Sequence, residues 1–465
     1  MKNRLMAPCA MAVALAAGSV DASVITDWNN VYLQSIRELP EGPGPMARKG
    51  ALLHTAIYDA VNSFDKTHEA YLVNLDPQAG ASKVAAIARA ARDSMIYAYP
   101  TRAAEFESLY NTQVNGIPAQ ARADGEAIGA AVAAQIISSR DVDGWNAPAP
   151  SYPDGTNPGE WRPTLPDFGG AVGPGWGNCV PWAMNSPSQF RPAGVGNGLF
   201  TSMGDLLASQ EYADNVNEVK ELGRLNSGSR TPDETEAAFF WANDRNGTYK
   251  PPGHLNAITQ EIANVRFAGM TEDQRLSAEA RLFALANIAM ADAGIAAWDA
   301  KYNTDIDLWR PIDAIRQADT DGNPNTTFEP DWEPLNHNFP GSDQDFTPPF
   351  PAWISGHSTF GGVHAAVLEA FFGSDEMNML VQSEDPSYSG DGRFFATFSE
   401  MGLENALSRI WLGVHYRFDC EQGYETGQLL GQYIGGNFLR AIPAPGSVML
   451  MAIGGLAALQ RRRSA

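Results

Sequence analysis

Lys301, Arg310, Ser355, His357, Arg409 and His415 are the residue types that can cage one tetrahedral oxyanion: three cations, a small hydroxyl beside a glycine, and two imidazoles. They fall in three patches. The first is Trp298-Asp299-Ala300-Lys301 with Leu308-Trp309-Arg310-Pro311, and the second is Pro351-Ala352-Trp353-Ile354-Ser355-Gly356-His357. The third is Ser408-Arg409-Ile410-Trp411-Leu412-Gly413-Val414-His415, closed by Asp419. Arginine grips oxyanion edges with a planar fork, and lysine supplies a movable point charge. Phosphate or vanadate chemistry suits such a set.

Each patch needs a particular local structure. Ser355-Gly356-His357 ends a loop and opens an apolar helix through Val363, Val367 and Phe371, so unpaired amides and a positive dipole end would face an anion. His357 then stands where proton transfer is useful. A plain Ser-Gly turn with a surface histidine fits the tripeptide taken alone. Arg409 and His415 are six residues apart, which on one unbroken helix would point them about 120° away from each other. Gly413 therefore predicts that the arginine ends one helix and the histidine begins the next segment. Asp419, four residues after His415, can fix its tautomer and leave the other nitrogen as nucleophile or ligand. A helical salt-bridge pattern of Arg409, Arg417 and Asp419 is the plainer alternative.

The elements that must hold these patches are helical. Leu53, Ile57, Val61 and Phe64 recur at helical spacing, as do Val84, Ile87, Ala91 and Met95. A long alanine-rich stretch over 276–298 carries Leu282, Leu285, Ile288 and Ile295. Thr231-Pro232-Asp233-Glu234 predicts a capped helix start. Strand-like alternation is scarce, and no repeat is evident. The expected class is mainly α: helical bundles, two packed helical halves, with long Pro/Gly-rich loops. One such loop runs from 147 to 192, where tryptophans argue for order. Another, 319–351, leads into the Ser-Gly-His patch. Asp319, Asp321, Asn323 and Asn325 alternate there like calcium ligands, but the glycine and closing glutamate of an EF-hand are missing, which favours a turn cluster.

At 465 residues, 44% hydrophobic, the chain can bury a large core. Its net charge of -22 excludes nucleic acid as a partner, since no basic stripe offsets it. Residues 1–22 read as a signal peptide: Lys2 and Arg4, an apolar stretch over 6–17, and Val20-Asp21-Ala22 before Ser23. Export to the periplasm, cell surface or exterior follows. Only Cys179 and Cys420 lie beyond that segment, and two cysteines make no disulfide framework. Residues 441–465 pair Pro443-Ala444-Pro445 with a short apolar run and Arg461-Arg462-Arg463. This layout resembles the PEP-CTERM sorting signals of bacteria, with Pro-Ala-Pro in place of Pro-Glu-Pro. It implies a transient membrane anchor. The expected catalytic body is 23–440. Whether it forms a homo-oligomer stays open.

Taken in order, the three patches resemble the Lys-x-Arg-Pro, Pro-Ser-Gly-His and Ser-Arg-x-Gly-x-His-x-Asp motifs of the vanadium-dependent haloperoxidase and type 2 phosphatidic acid phosphatase superfamily. The haloperoxidase branch is the nearer. Phe350, seven residues before His357, and Trp298, three before Lys301, fit it. So does Asp244 in Trp241-Ala242-Asn243-Asp244, where those enzymes pair an aspartate with the third-patch arginine. Ile354 replaces the usual proline before Ser355. Eight residues separate Lys301 from Arg310, two more than the common pattern, so a bulge or looped-out turn must absorb them.

The resemblance implies a vanadate cofactor, held at vanadium by His415 with Asp419 behind it. Lys301, Arg310 and Arg409 would neutralise its oxygens, and Ser355 and the Gly356 amide would donate hydrogen bonds. His357 would accept the proton of hydrogen peroxide, Lys301 would polarise the bound peroxide, and Trp298 and Phe350 would shape a halide pocket. Small organic acceptors would then be halogenated. The same cage implies an alternative, an acid phosphatase working through a phosphohistidine. A surface binding or structural protein with an inactive site is a third reading.

Overall fold

The computed structural model describes residues 23–39, 41–337 and 347–443. The proposed leader, residues 1–22, and residues 444–465 of the proposed anchor lie outside that range. Its helices are α1 (Val24–Glu38), α2 (Pro43–Asp65), α3 (Lys83–Ala98), α4 (Ala103–Val114), α5 (Ala119–Arg140), α6 (Val195–Gly198), α7 (Met203–Leu207) and α8 (Gln210–Leu222). They continue with α9 (Pro232–Ala242), α10 (Lys250–Arg266), α11 (Glu272–Tyr302), α12 (Pro311–Arg316), α13 (Gly356–Phe372), α14 (Phe398–Trp411) and α15 (Arg417–Asn437). Two strands, β1 (Glu376–Val381) and β2 (Arg393–Thr397), pair antiparallel with Leu380 opposite Phe394.

The mainly α class and the bundle architecture expected from periodicity are what the structure has. α2 packs on α3 and α11, and α3 packs on α5; α13 packs on α11, α14 and α15. α11 thus belongs to both bundles. It starts at a capping box of Thr271 and Gln274, and nearly every residue from Leu282 onward is buried. It is long and apolar enough to cross a membrane, but its apolar window is 94% buried inside the protein, so it is a core helix. The predicted capping box at Thr231 and Glu234 opens α9.

The long 147–192 segment is ordered by what it lies on. Trp161, Trp176 and Trp182 are buried. Asp292 of α11 accepts hydrogen bonds from the amides of Trp182, Ala183 and Met184 at 2.6, 2.8 and 2.8 Å. Residues 319–325 form Asx turns, with Asp321 accepting from the Asn323 amide and Asn323 from the Asn325 amide. Cys179 and Cys420 are buried and unpaired. After α15 the chain returns beside 67–69, where Ala441 bridges His68 and the Ile442 amide donates to Thr67.

Candidate oxyanion site

Four helix ends and one loop bring the three patches together. α11 delivers Lys301 in its last turn. The two extra residues are absorbed after that helix ends, in the 303–306 loop, where the Thr304 hydroxyl donates back to the Ala300 carbonyl. Beyond it the chain is pinned again: the Trp161 amide donates to Asp307, the Trp309 amide to Gly159, and the Ala352 amide to Leu308. Arg310 is therefore fixed as the N-cap residue of α12, ahead of Pro311.

Ser355 is the N-cap of α13, its hydroxyl accepting from the Ser358 amide. Its own amide donates to the Asp419 carbonyl at 3.1 Å, which ties α13 to α15. A Cβ on Gly356 would stand 3.2 Å from the Trp298 ring. Arg409 lies in the last turn of α14, Gly413 turns the chain with φ 82°, and His415 comes two residues before α15. The helix break predicted from the glycine is present, and only glycine takes such a φ without steric cost.

The side chains converge. The Arg310 Nη1 donates to the Val414 carbonyl at 2.8 Å and faces His415 Nε2 at 3.0 Å. A guanidinium can only donate, so His415 Nε2 is the acceptor and its proton sits on Nδ1, aimed at Asp419 Oδ2 at 3.0 Å. Arg409 Nη2 donates to Asp244 Oδ2 at 2.8 Å. His357 Nε2 lies 3.2 Å from the Ala242 carbonyl and 3.7 Å from Asp244. Both acceptors need a proton on Nε2, which leaves the basic lone pair on Nδ1. Trp298 and Phe350 stack obliquely, centroids 5.0 Å apart. Lys301 spends its hydrogen bonds on backbone: its ammonium donates to the carbonyls of Pro351 and Ala352 at 2.6 and 2.9 Å, in the loop leading to Ser355.

Desolvation dominates the electrostatics. Lys301, Arg310 and Arg409 are wholly buried, and His415 is 1% exposed. Burial, reinforced by Arg310, holds Lys301 well below the ordinary lysine range, and burial takes Arg310 down to about 10. Burial and then Arg409 push His357 down to about 3, so it is a neutral base. Burial and the three cations hold His415 far below an ordinary imidazole. Burial drives Asp419 up to about 8 against the pull of Lys301 and Arg310. Burial alone would raise Asp244 too, but His357 and Arg409 outweigh it and the carboxylate is lowered.

Three cations thus face two carboxylates, and several donors go unused. Arg310 Nη2, Arg409 Nε and Arg409 Nη1 are buried with no hydrogen-bond partner. Unpaired buried donors and excess buried charge are costly. An oxyanion beside His415 would satisfy both. Guanidinium N–H groups can only donate, so this donor set suits an anion. The site opens into a cavity of about 560 Å³ lined by His357, Arg409, His415, Trp298 and Phe350.

Residues 281–442 match the family model described as the VCPO second helical-bundle domain. Over that stretch the chain is similar to the second helical bundle of the vanadium chloroperoxidases. The chain is 32% identical over 252 residues to a vanadium chloroperoxidase of Curvularia inaequalis, a match covering 45% of this chain and 40% of that one. It is 31% identical over 103 residues to a vanadium-dependent bromoperoxidase of Ascophyllum nodosum, covering 20% and 18%. It therefore spans less than half the length of the curated relatives it matches. The likeness of fold extends further than those sequence matches. A bacterial vanadium-dependent iodoperoxidase superposes with a TM-score of 0.70 at 24% identity, over 90% of this chain and 96% of that one. A bacterial vanadium-dependent chloroperoxidase does so with 0.66 at 16% identity, over 90% and 98%.

Sequence reasoning missed Lys250. It lines the same cavity, and its ammonium donates to the Asp244 carbonyl. It sits outside every motif. The one signal was its place after Gly247 and before Pro251-Pro252, where the chain must turn into a helix.

Proposed function

We propose that this protein is a vanadate-dependent haloperoxidase, oxidising halide with hydrogen peroxide to hypohalous acid. The observation that carries the reading is the set of buried guanidinium N–H groups left unpaired on Arg310, which touches His415 Nε2, and on Arg409, which shares the cavity wall with His415. They would grip the oxygens of vanadate, and Arg310 would give up His415 Nε2 to it. Asp419 keeps the proton on His415 Nδ1 and so keeps Nε2 basic. Bound vanadate supplies a Lewis acid that activates hydrogen peroxide without changing oxidation state.

His357 is neutral and its Nδ1 is free to take the proton that hydrogen peroxide sheds. Asp244, gripped by Arg409, holds the other side of that imidazole. Trp298 and Phe350 form an apolar wall on which a weakly hydrated halide loses little by leaving water. Lys301 is bonded to the 351–352 carbonyls, 5.0 Å from the Phe350 ring centroid. There it adds positive charge to the cage and positions the loop leading to Ser355.

The same unpaired donors suit phosphate, so a phosphatase using His415 as nucleophile and His357 as acid is the second reading. Purified protein given orthovanadate, hydrogen peroxide and iodide, bromide or chloride should halogenate a reporter dye. Loss of that activity without vanadate, or in His415→Ala, supports the first reading. Hydrolysis of a phosphate ester, inhibited by vanadate and unaccompanied by halogenation, supports the second. The protein is further proposed to act outside the cytosol, a reading supported by the signal-peptide pattern of residues 1–22. Sequencing the N-terminus of protein recovered from outside the cytosol should find Ser23 first, and Met1 or Lys2 there would overturn it.

A further inference from the structure

Two cations of the cage do not line the cavity. The Lys301 ammonium is held by the Pro351 and Ala352 carbonyls, Arg310 by those of Phe350 and Val414, and neither side chain lines the cavity wall. The positive charge that meets an incoming solute comes from Arg409 and Lys250. One residue anchors both, since the Asp244 carboxylate accepts from Arg409 and its carbonyl accepts from the Lys250 ammonium.

Lys250 differs from Arg409 in what it leaves available. Its other partner is the Asn246 side-chain oxygen at a long 3.4 Å, and among the described residues it forms no ion pair. An ammonium has three N–H groups, so one remains for the cavity. The backbone at Lys250 has φ 58°, in the left-handed region that favours glycine. A lysine held there costs about 1–2 kcal/mol, and such strain persists where surrounding structure enforces it for a use. Here Gly247 (φ 88°) makes the preceding turn, and Pro251, itself on the cavity wall, follows Lys250 in the first turn of α10. The cavity lining also carries Asp167 and Glu41, the latter paired with Lys49, on a chain of net charge -22. An anion reaching the cage needs a cation inside the mouth to overcome that field.

We propose that Lys250 receives the halide in the cavity, between its ammonium and the apolar wall of Trp298, Phe350 and Phe360, and sets the apparent affinity for halide. The inference rests on the haloperoxidase reading and adds to it a specificity residue outside the three motifs. The oxyanion of the cage belongs to Arg310, Arg409 and His415, so Lys250 governs the mobile anion and leaves the resident one largely unaffected.

Lys250→Gln and Lys250→Arg of the full chain separate these roles, because glutamine can still donate to the Asp244 carbonyl. With vanadate-loaded protein, Lys250→Gln should raise the KM for bromide or iodide about tenfold while kcat stays within about twofold, and Lys250→Arg should restore most of the loss. Calorimetric titration of inorganic phosphate into vanadate-free protein should give a Kd within about threefold of the parent for both variants. Anomalous scattering from bromide-soaked crystals should show an ion beside Lys250 in the parent and none in Lys250→Gln. An unchanged KM, or joint collapse of kcat and phosphate affinity, would overturn the proposal, the latter making Lys250 only a strut for Asp244. If the parent oxidises no halide, the functional reading fails, and the bromide peak still decides whether Lys250 holds a halide.

Discussion

His415 works through the proton it does not share. Because Arg310 can only donate, the proton of the ring is forced onto Nδ1, and Asp419 is the acceptor that keeps it there. Replacing Asp419 by Asn removes that preference, since an amide can present a donor to Nδ1. Vanadate affinity should fall about 10–100-fold, the usual cost of losing such an outer partner. Titrating vanadate against recovered activity, with phosphate calorimetry as a check, measures it; unchanged affinity would mean that Asp419 does not orient the ring. These residues were legible in the sequence because each sits in a short motif with a fixed local geometry. Lys250 was not, because its role depends on the Asp244 carbonyl and a cavity wall built from distant segments. Nor could the sequence place the Lys301 ammonium against the loop leading to Ser355, where backbone carbonyls take its hydrogen bonds.

Helix packing sets the distances within the cage. α13 carries Ser355 and His357 at its N-terminus, and α15 carries Asp419 in its first turn. The two helices approach so closely that a Cβ on Gly427 would lie 2.4 Å from the Thr359 carbonyl oxygen. Gly427→Ala must push them apart, at a cost of about 1–3 kcal/mol typical of overpacking. It should also weaken phosphate binding, because Ser355 is tied to the Asp419 carbonyl across that contact. Urea unfolding and calorimetry on the same protein test both, and a stable variant with parental affinity would contradict this coupling. At the cap of α11, Thr271→Ala should cost about 1 kcal/mol in the same unfolding assay without touching the site, by losing one arm of the capping box. Helix starts of this kind were readable because their hydrogen bonds are local. The β1–β2 hairpin was not: Glu-Met-Asn-Met-Leu-Val is buried at alternate positions, but methionine and asparagine give a weak strand signal.

The molecule as a whole stores histidines neutral in its core. Burial holds His54, His254 and His364 down at about 3, 4 and 3. In the unfolded chain they take protons near 6.5. The stability they contribute is therefore complete above that pH and is lost as pH falls toward 3–4. Asp59 and Asp292, which burial raises to about 6, act in the opposite sense: their contribution is present below the unfolded carboxylate value and lost as pH rises through 6. His364→Gln can keep a hydrogen bond to Thr259 and removes one acid-sensitive group. Between pH 6.5 and 4.5 the variant should lose less stability than the parent, by up to about 1.4 kcal/mol per pH unit. Equal losses in urea unfolding at the two pH values would refute this assignment. At this scale the helical class and its two bundles followed from periodicity, whereas the role of α11 as a helix shared by both depends on which faces meet across the chain.

The most direct test of the central claim is halide oxidation measured against vanadate concentration in the purified protein. With hydrogen peroxide and iodide or bromide, dye halogenation should rise from background to saturation as vanadate is added, and should stay at background in His415→Ala. Halogenation independent of vanadate, or phosphate-ester hydrolysis that vanadate blocks with no halogenation at any concentration, would contradict it.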